Sequence, residues 1–435
     1  MNVRLSPHRS FCSLHQNPPG GKRTAEEAAL FGAGLPATNI WYGHAKTVVW
    51  MQPQLPEGFR FAPHLAQSYE KSGWCHVEAA ISAVIKHGKR RLDLSRRQGH
   101  DITIYDNNNS DAIGTDLVPT CAASRLVPTL PDEMARRLEH ELTFTNGKSD
   151  ADKVAALYRN FFDAVATSVE RLSFTNLGWG VAEVEALASA MPRFPSCVNL
   201  DLSGNCLSGA EGGAAVVSVI TASGSITAIG KSGLHLKKNK LGVEGWTVIF
   251  DALRDSPNSI ATCNLHGELL GADICEPLAE YLSVSESITS LDLTMNFISS
   301  DGAEELAAGL AANGSLKQLV LRNTAVMDDG AIAIGHALID NTNCSIEELS
   351  LHSCAMGDGG AKAIAAFCIV STSLKSLALG DNHIRVEGAK ALAVSLDANS
   401  SLTALEARHN NLMGDEGKHL LQQAAKGREG FDLRL

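Results

Sequence analysis

Gly230-Lys231-Ser232 has the form of the end of a phosphate-binding loop, where backbone N–H groups, a lysine and a hydroxyl cradle phosphate oxygens. Five residues rather than four separate it from Gly224, and the alternating Leu234-His-Leu236 behind it reads as a strand. A phosphate loop must open a helix, so no nucleotide site is expected there. The ten cysteines show no CxxC pair and no zinc-type spacing, which points to reduced thiols in an intracellular protein rather than to a metal centre. His87-Gly-Lys89-Arg90-Arg91, followed by Arg96 and Arg97, is the densest basic run. It suits a nuclear-import signal or an anion site; the plainer reading is a solvated helix end with cations at its negative pole. Glu78, four residues beyond Trp74 on an apolar-periodic stretch, is a carboxylate of the kind that moves protons in hydrolysis. Its plainer reading is a solvated residue on an amphipathic helix whose Trp74 and Cys75 face inward.

Such groups need elements to hold them, and four stretches are expected. Residues 1–40 read as a disordered leader broken by Pro18-Pro-Gly-Gly21; its first 25 residues hold Arg4, Arg9, Lys22 and Arg23 and no acid, faintly like an organelle transit peptide. Residues 41–148 read as a small α/β region. It has a strand at Lys46–Met51, a helix from Gly73 to Lys86 stopping at Gly88, a strand at Ile102–Tyr105, a polar loop at Asp106–Asp111, and a helix opening at Pro131. Residues 149–168 form a helix with Ser149 as N-cap, Asp152 completing a capping box, and an apolar stripe of Val154, Leu157, Tyr158, Phe161 and Val165. An amphipathic helix there is a natural cap for a stack of repeats beginning at residue 169.

Residues 169–435 do repeat. Ile288-Thr-Ser-Leu291-Asp-Leu293-Thr-Met-Asn296-Phe-Ile298, with Gly302, Leu306 and Leu310 behind it, has the form LxxLxLxxNxI plus a helix. Copies begin at Val169, Cys197, Ile260, Ile288, Leu316, Ile346, Leu374 and Leu402, mostly 28 to 30 residues apart, with a disturbed one between Ile226 and Asn239. A period of this size means stacked units, none of which buries its apolar face alone. Asn205, Asn239, Asn296, Asn382 and Asn410 are placed to bond the backbone of neighbouring turns, with Thr324 and Cys354 as substitutes. Glu268 stands where Asn is expected, and about five extra residues before Leu236 predict a bulge or a looped-out insert.

On these residues the chain resembles the leucine-rich repeats of the ribonuclease-inhibitor type, also found in NOD-like receptors and Ran GTPase-activating proteins. The resemblance implies an α/β horseshoe of about nine units, with parallel strands concave and helices convex, beside the small N-terminal α/β region. It implies a protein-binding scaffold rather than an enzyme, or, as an alternative, a GTPase-activating protein of the Ran-activator type. Separately, Ser72-Gly-Trp74-Cys75-His-Val-Glu78 resembles the S-x-W-C-x-x-E box of TIR domains. That likeness implies a second alternative, an NAD-cleaving signalling enzyme with Glu78 as its catalytic residue.

The repeat also nominates the side chains that stand out from the concave strands. They include Asp201, His235, Lys237, Lys238, His266, Asp292, Thr294, Arg322, His352, Asp381, Glu406, Arg408 and His409. Acids, bases and histidines are mixed evenly, which suits a polar protein partner held by charge complementarity. His266 and His352 do not fall in adjacent units, so no metal is expected, nor any cofactor. The chain has 48 acids against 37 bases, net −11, so no general nucleic-acid surface is expected. It lacks an apolar run long enough to span a bilayer, so no membrane partner is expected, and the cytoplasm, alternatively the nucleus, is the expected location.

Overall fold

A computed structural model describes residues 25, 49–51, 72–85, 91–93, 125–144, 150–230, 232–256 and 260–435. The expected leader, the strand at 102–105, the polar loop, Ser149, Lys231 and most of the basic run lie outside the described residues. Two compact units are present: residues 1–177 with 193–196, and residues 178–192 with 197–435.

In the first unit β1 (Val49–Met51) pairs in parallel with β2 (Arg91–Asp93). The helices Gly73–Ile85, Pro131–His140 and Ala151–Ala166 follow the expected order, and the last packs on the other two. Proline opens the second helix where its missing N–H costs nothing. The buried row of the third is Ala151, Val154, Tyr158, Phe162 and Ala166. The expected Leu157, Phe161 and Val165 are only half-buried, because a near-strict four-residue ridge, not a wider stripe, meets the neighbouring helices. The helix is preceded by Asp150, whose side chain makes no capping bond, and the capping box expected on Ser149 lies outside the described residues. Phe162 lies 6.0 Å from the Tyr158 ring and 5.6 Å from the Phe194 ring. Arg125 is buried; its guanidinium donates to the carbonyls of Ala83 and Val84, at the end of the Gly73–Ile85 helix, and to Ser173 O of β3 (Arg171–Ser173). Those helix-end carbonyls have no intrahelical partner, and a cation satisfies them and the dipole together.

The second unit is the repeat array. β4 (Asn199–Asp201), β5 (Ala228–Ile229), β6 (Leu234–His235), β7 (Thr262–Asn264), β8 (Ser290–Asp292), β9 (Gln318–Val320), β10 (Glu348–Ser350), β11 (Ser376–Ala378), β12 (Ala404–Glu406) and β13 (Asp432–Arg434) form one open parallel sheet. From β8 on the register aligns Leu291, Leu319, Leu349, Leu377, Leu405 and Leu433 side by side. The middle residue of each strand from β7 to β12 is buried and its neighbours face outward. Between strands run helices, such as Ser300–Ala312 and Val386–Ala398, each packed on the next. Small residues line that seam: a Cβ on Gly309 would meet Ala279 O at 2.5 Å. Helices still need ~8–10 Å between axes where strands need ~4.8 Å, so a stack of such units bends toward its strand side.

The asparagines make the bonds the strands cannot. Asn296 Nδ2 donates to Leu265 O at 2.9 Å in the preceding unit and to Leu293 O at 2.8 Å in its own, while its Oδ1 accepts from Leu270 N at 3.0 Å. In the substituted units the Thr324 hydroxyl donates to Leu321 O at 2.6 Å, and Cys354 Sγ reaches the same oxygen at 3.0 Å.

The disturbed unit is neither a simple bulge nor a looped-out insert. Its strand splits in two inside the sheet. β5 pairs with β7, β6 pairs with β4, and Ile229 stands opposite Leu234. Gly230, at φ +99, makes the crossover and donates to Leu234 O at 2.7 Å. In the next unit a 3-10 turn, Ala272–Ile274, replaces the first helical turn before Cys275–Val284.

Candidate binding surface on the strand face

Each three-residue strand points its first and third side chains outward, and the backbone then turns through a left-handed residue before the ladder Asn. Lys238, Met295, Asn323, Ser353, Asp381 and His409 take that conformation. The outward residues of successive units therefore stand in rows about one strand spacing apart. His352 Nε2 lies 3.3 Å from Asp381 Oδ2 in the next unit, with Nδ1 2.9 Å from Ser353 Oγ. Asn264 Nδ2 donates to Asp292 Oδ2 at 2.9 Å, and Asn199 Nδ2 lies 3.2 Å from His235 Nε2. A second row runs Ser290 Oγ to Gln318 Oε1 and Gln318 Nε2 to Glu348 Oε2, each 2.7 Å. A third joins Lys317 and Lys375 to Glu347, whose carboxyl the Lys375 ammonium holds below the usual range.

Several nominated acids also serve the fold. Asp201 Oδ1 accepts from Ser203 N at 3.0 Å and Asp292 Oδ1 from Thr294 N at 2.9 Å, turning the chain at the strand end. Glu406 accepts from Arg408 N at 3.0 Å and Gly380 N at 3.2 Å. Thr294, expected on the face, is buried instead, because this turn draws it under the sheet edge. The cations differ. Lys237, Lys238, Arg322 and Arg408 are exposed, and among the described residues the side chains of Lys238, Arg322, Arg408 and His409 form no ion pair. Lys237 faces Glu268, whose carboxyl burial raises while the ammonium pulls the other way. His266 is half-buried, and its backbone N–H is held by Asn264 Oδ1 at 3.2 Å.

The other nominated chemistry is not gathered into a site. The triplet at Gly230 leads into β6, not a helix. Glu78 is buried rather than solvated, and Trp74 and Cys75 are only half-buried, which reverses the expected facing of that helix. Its packed face is Val77, Ala80, Ile81 and Val84, and Glu78, beside Val77, is carried in with it. Among the described residues no group of three or more His, Cys, Asp or Glu is placed to hold a metal ion.

Two sets of residues were overlooked in the sequence. Asn313, Asn341 and Asn399 form a second ladder behind the helices; Asn313 Nδ2 donates to Leu282 O at 2.7 Å and its Oδ1 accepts from Leu316 N at 2.7 Å. The recurring Asn a few residues before the first Leu or Ile of a unit is the signal that marks it. Asp328 and Asp358 each cap the helix of the following unit, Asp358 Oδ1 accepting from Arg385 N at 2.9 Å and Gly388 N at 2.7 Å.

Residues 284–307, 342–365 and 370–393 match the family described as Leucine Rich repeat. Those three segments are leucine-rich repeats. The three matches fall on repeat units whose ladder positions are Asn296, Cys354 and Asn382, inside the regular part of the array. No curated protein matches the chain. No described helix is long and apolar enough to cross a membrane.

Proposed function

We propose that this protein is a non-enzymatic binding scaffold that holds a polar, acidic protein partner on the strand face of a ribonuclease-inhibitor-like repeat array. The carrying observation is the inequality between the charges there. Asp201, Asp292 and Glu406 already accept backbone N–H groups, whereas Lys238, Arg322 and Arg408 keep all their donors open. A carboxylate engaged by the backbone offers less to a partner than a cation with free donors, so an acidic surface gains most by docking. The ladders hold these side chains at fixed spacing, which lowers the ordering cost of association. The eight described cysteines are all free, which suits the reducing cytoplasm. Neither the NAD-cleaving nor the GTPase-activating alternative gains a supporting observation.

Affinity capture with three baits tests this: wild type, Lys237→Glu/Arg322→Glu on the strand face, and Lys362→Glu on an exposed helix surface. Partners are expected with wild type and Lys362→Glu, and affinity is expected to fall about ten-fold or more in the strand-face variant. Equal retention by all three baits sinks the proposal.

A further inference from the structure

The residue directly after the ladder position is exposed in every unit from Cys206 to Asn411. Toward the two ends it is Cys206, Lys240, His383 or Asn411; in the four units between it is Leu269, Phe297, Ala325 and Ala355. The repeat thus demands exposure at this position but not an apolar side chain. Leu269 is 70% exposed and Phe297 68%, with Met295 at 53% and Met327 at 51% beside them. These are consecutive turns: Phe297 N donates to Leu270 O at 2.7 Å and Ala325 N to Ile298 O at 2.8 Å. Leu269, Met295 and Met327 also hold left-handed backbone, at φ 59, 57 and 57. Large apolar side chains that are both strained and exposed contribute nothing to the core, which is the mark of a surface kept for something else.

Charge brackets the ridge. Lys237, Lys238 and Lys240 lie exposed at one end, and Arg385 lies exposed with His383 at the other. Asp328 and Asp358 along the same edge already accept backbone N–H groups. At ~4.8 Å per unit the row from Lys240 to His383 is at least ~24 Å long, the reach of about seven extended residues. We propose that this ridge docks an extended segment of another protein with apolar residues at its centre and acidic residues at both ends. A bilayer is the poorer occupant, because the apolar residues form a line with cations only at its ends, and the chain's net charge of −11 opposes anionic lipid. The ridge meets the strand face at Lys237 and Lys238, but its apolar row of Leu269 and Phe297 does not, and the proposal does not rest on the proposed function.

An eight-residue peptide library displayed on phage is panned against the full chain. Peptides with Phe, Leu, Met or Trp at the centre and Asp or Glu at the ends are expected to be enriched. One such peptide, labelled and measured by anisotropy, is expected to bind about ten-fold weaker to Leu269→Ser/Phe297→Ser and several-fold weaker to Lys240→Glu, with little change for Arg322→Glu. All substituted side chains are exposed, and thermal melts confirm folding. Absence of that enrichment, or equal affinity for the ridge variants, overturns the proposal. Loss with Arg322→Glu alone also overturns it and moves the peptide to the strand face. Binding to vesicles of phosphatidylcholine and phosphatidylserine, or a dimer mass, lost specifically in Leu269→Ser/Phe297→Ser overturns it in favour of lipid or of a second copy.

Discussion

Asn382 closes five hydrogen bonds from one buried side chain, the longest from Nδ2 to Gly380 O at 3.2 Å. Its Nδ2 donates to Leu351 O at 2.7 Å and Leu379 O at 3.0 Å, and its Oδ1 accepts from Cys354 N and Met356 N, both at 3.0 Å. Removing it strands backbone groups from two units where water does not reach. Asn382→Ala is expected to cost about 3 kcal/mol, read as a lowered urea midpoint, whereas Thr324→Val, which gives up the bond to Leu321 O, costs about 1 kcal/mol. Equal shifts would show that the ladder is dispensable. The buried thiols make a second prediction. Burial pushes Cys263, Cys275 and Cys368 up to about 12, so at pH 8 iodoacetamide is expected to label exposed Cys206 and spare all three until the chain unfolds. Between about 9, where the free thiol ionises, and about 12 the folded state holds more protons than the unfolded one. These thiols therefore stabilise the fold fully below that window and lose their contribution as pH rises through it. A melting temperature that rose across that interval would contradict the burial.

Among the elements, the split strand is the least replaceable. A Cβ on Gly230 would meet Asn264 O at 2.5 Å while the backbone holds φ +99, so Gly230→Ala meets both a clash and strain. It is expected to cost more than about 2 kcal/mol and to raise amide exchange at Leu234 and Leu236, leaving β10 to β12 protected. Uniform loss of protection across the array would mean that the units unfold as one. The inter-unit caps are lesser devices. Asp358→Ala removes the acceptor for Arg385 N and Gly388 N, at a cost of about 1 kcal/mol confined to the Val386–Ala398 helix.

At the scale of the molecule, stability is a sum over neighbours rather than a single core. Deleting residues 346–373, one whole unit, lets Leu377 take the place of Leu349 beside Leu319 and keeps every ladder in register. Circular dichroism per residue is expected to stay unchanged. Deleting only 346–359 removes a strand without its helix and is expected to unfold the C-terminal half. If the two deletions behave alike, nearest-neighbour stacking is the wrong description.

The period was enough to establish the regular strands and helices from Ser290 to Arg434, the strand-side ladder residues and the last strand, because a leucine spacing of this kind has one way to be buried: against its own copies. Tertiary structure decided the rest. The insert at Gly230 became a split strand because two neighbours, β4 and β7, were each available to pair with half of it. Glu78 went inward because its helix turned with Val77 and Ile81, a rotation that an apolar pattern around nearly the whole helix leaves open. The acids and bases of the strand face read as equals in the sequence and became unequal in the fold, since the backbone N–H groups that claim Asp201, Asp292 and Glu406 exist only once the strand ends are turned. The exposed row of Leu269 and Phe297 was invisible for a related reason: whether an apolar residue is buried or displayed depends on which side of a turn it occupies.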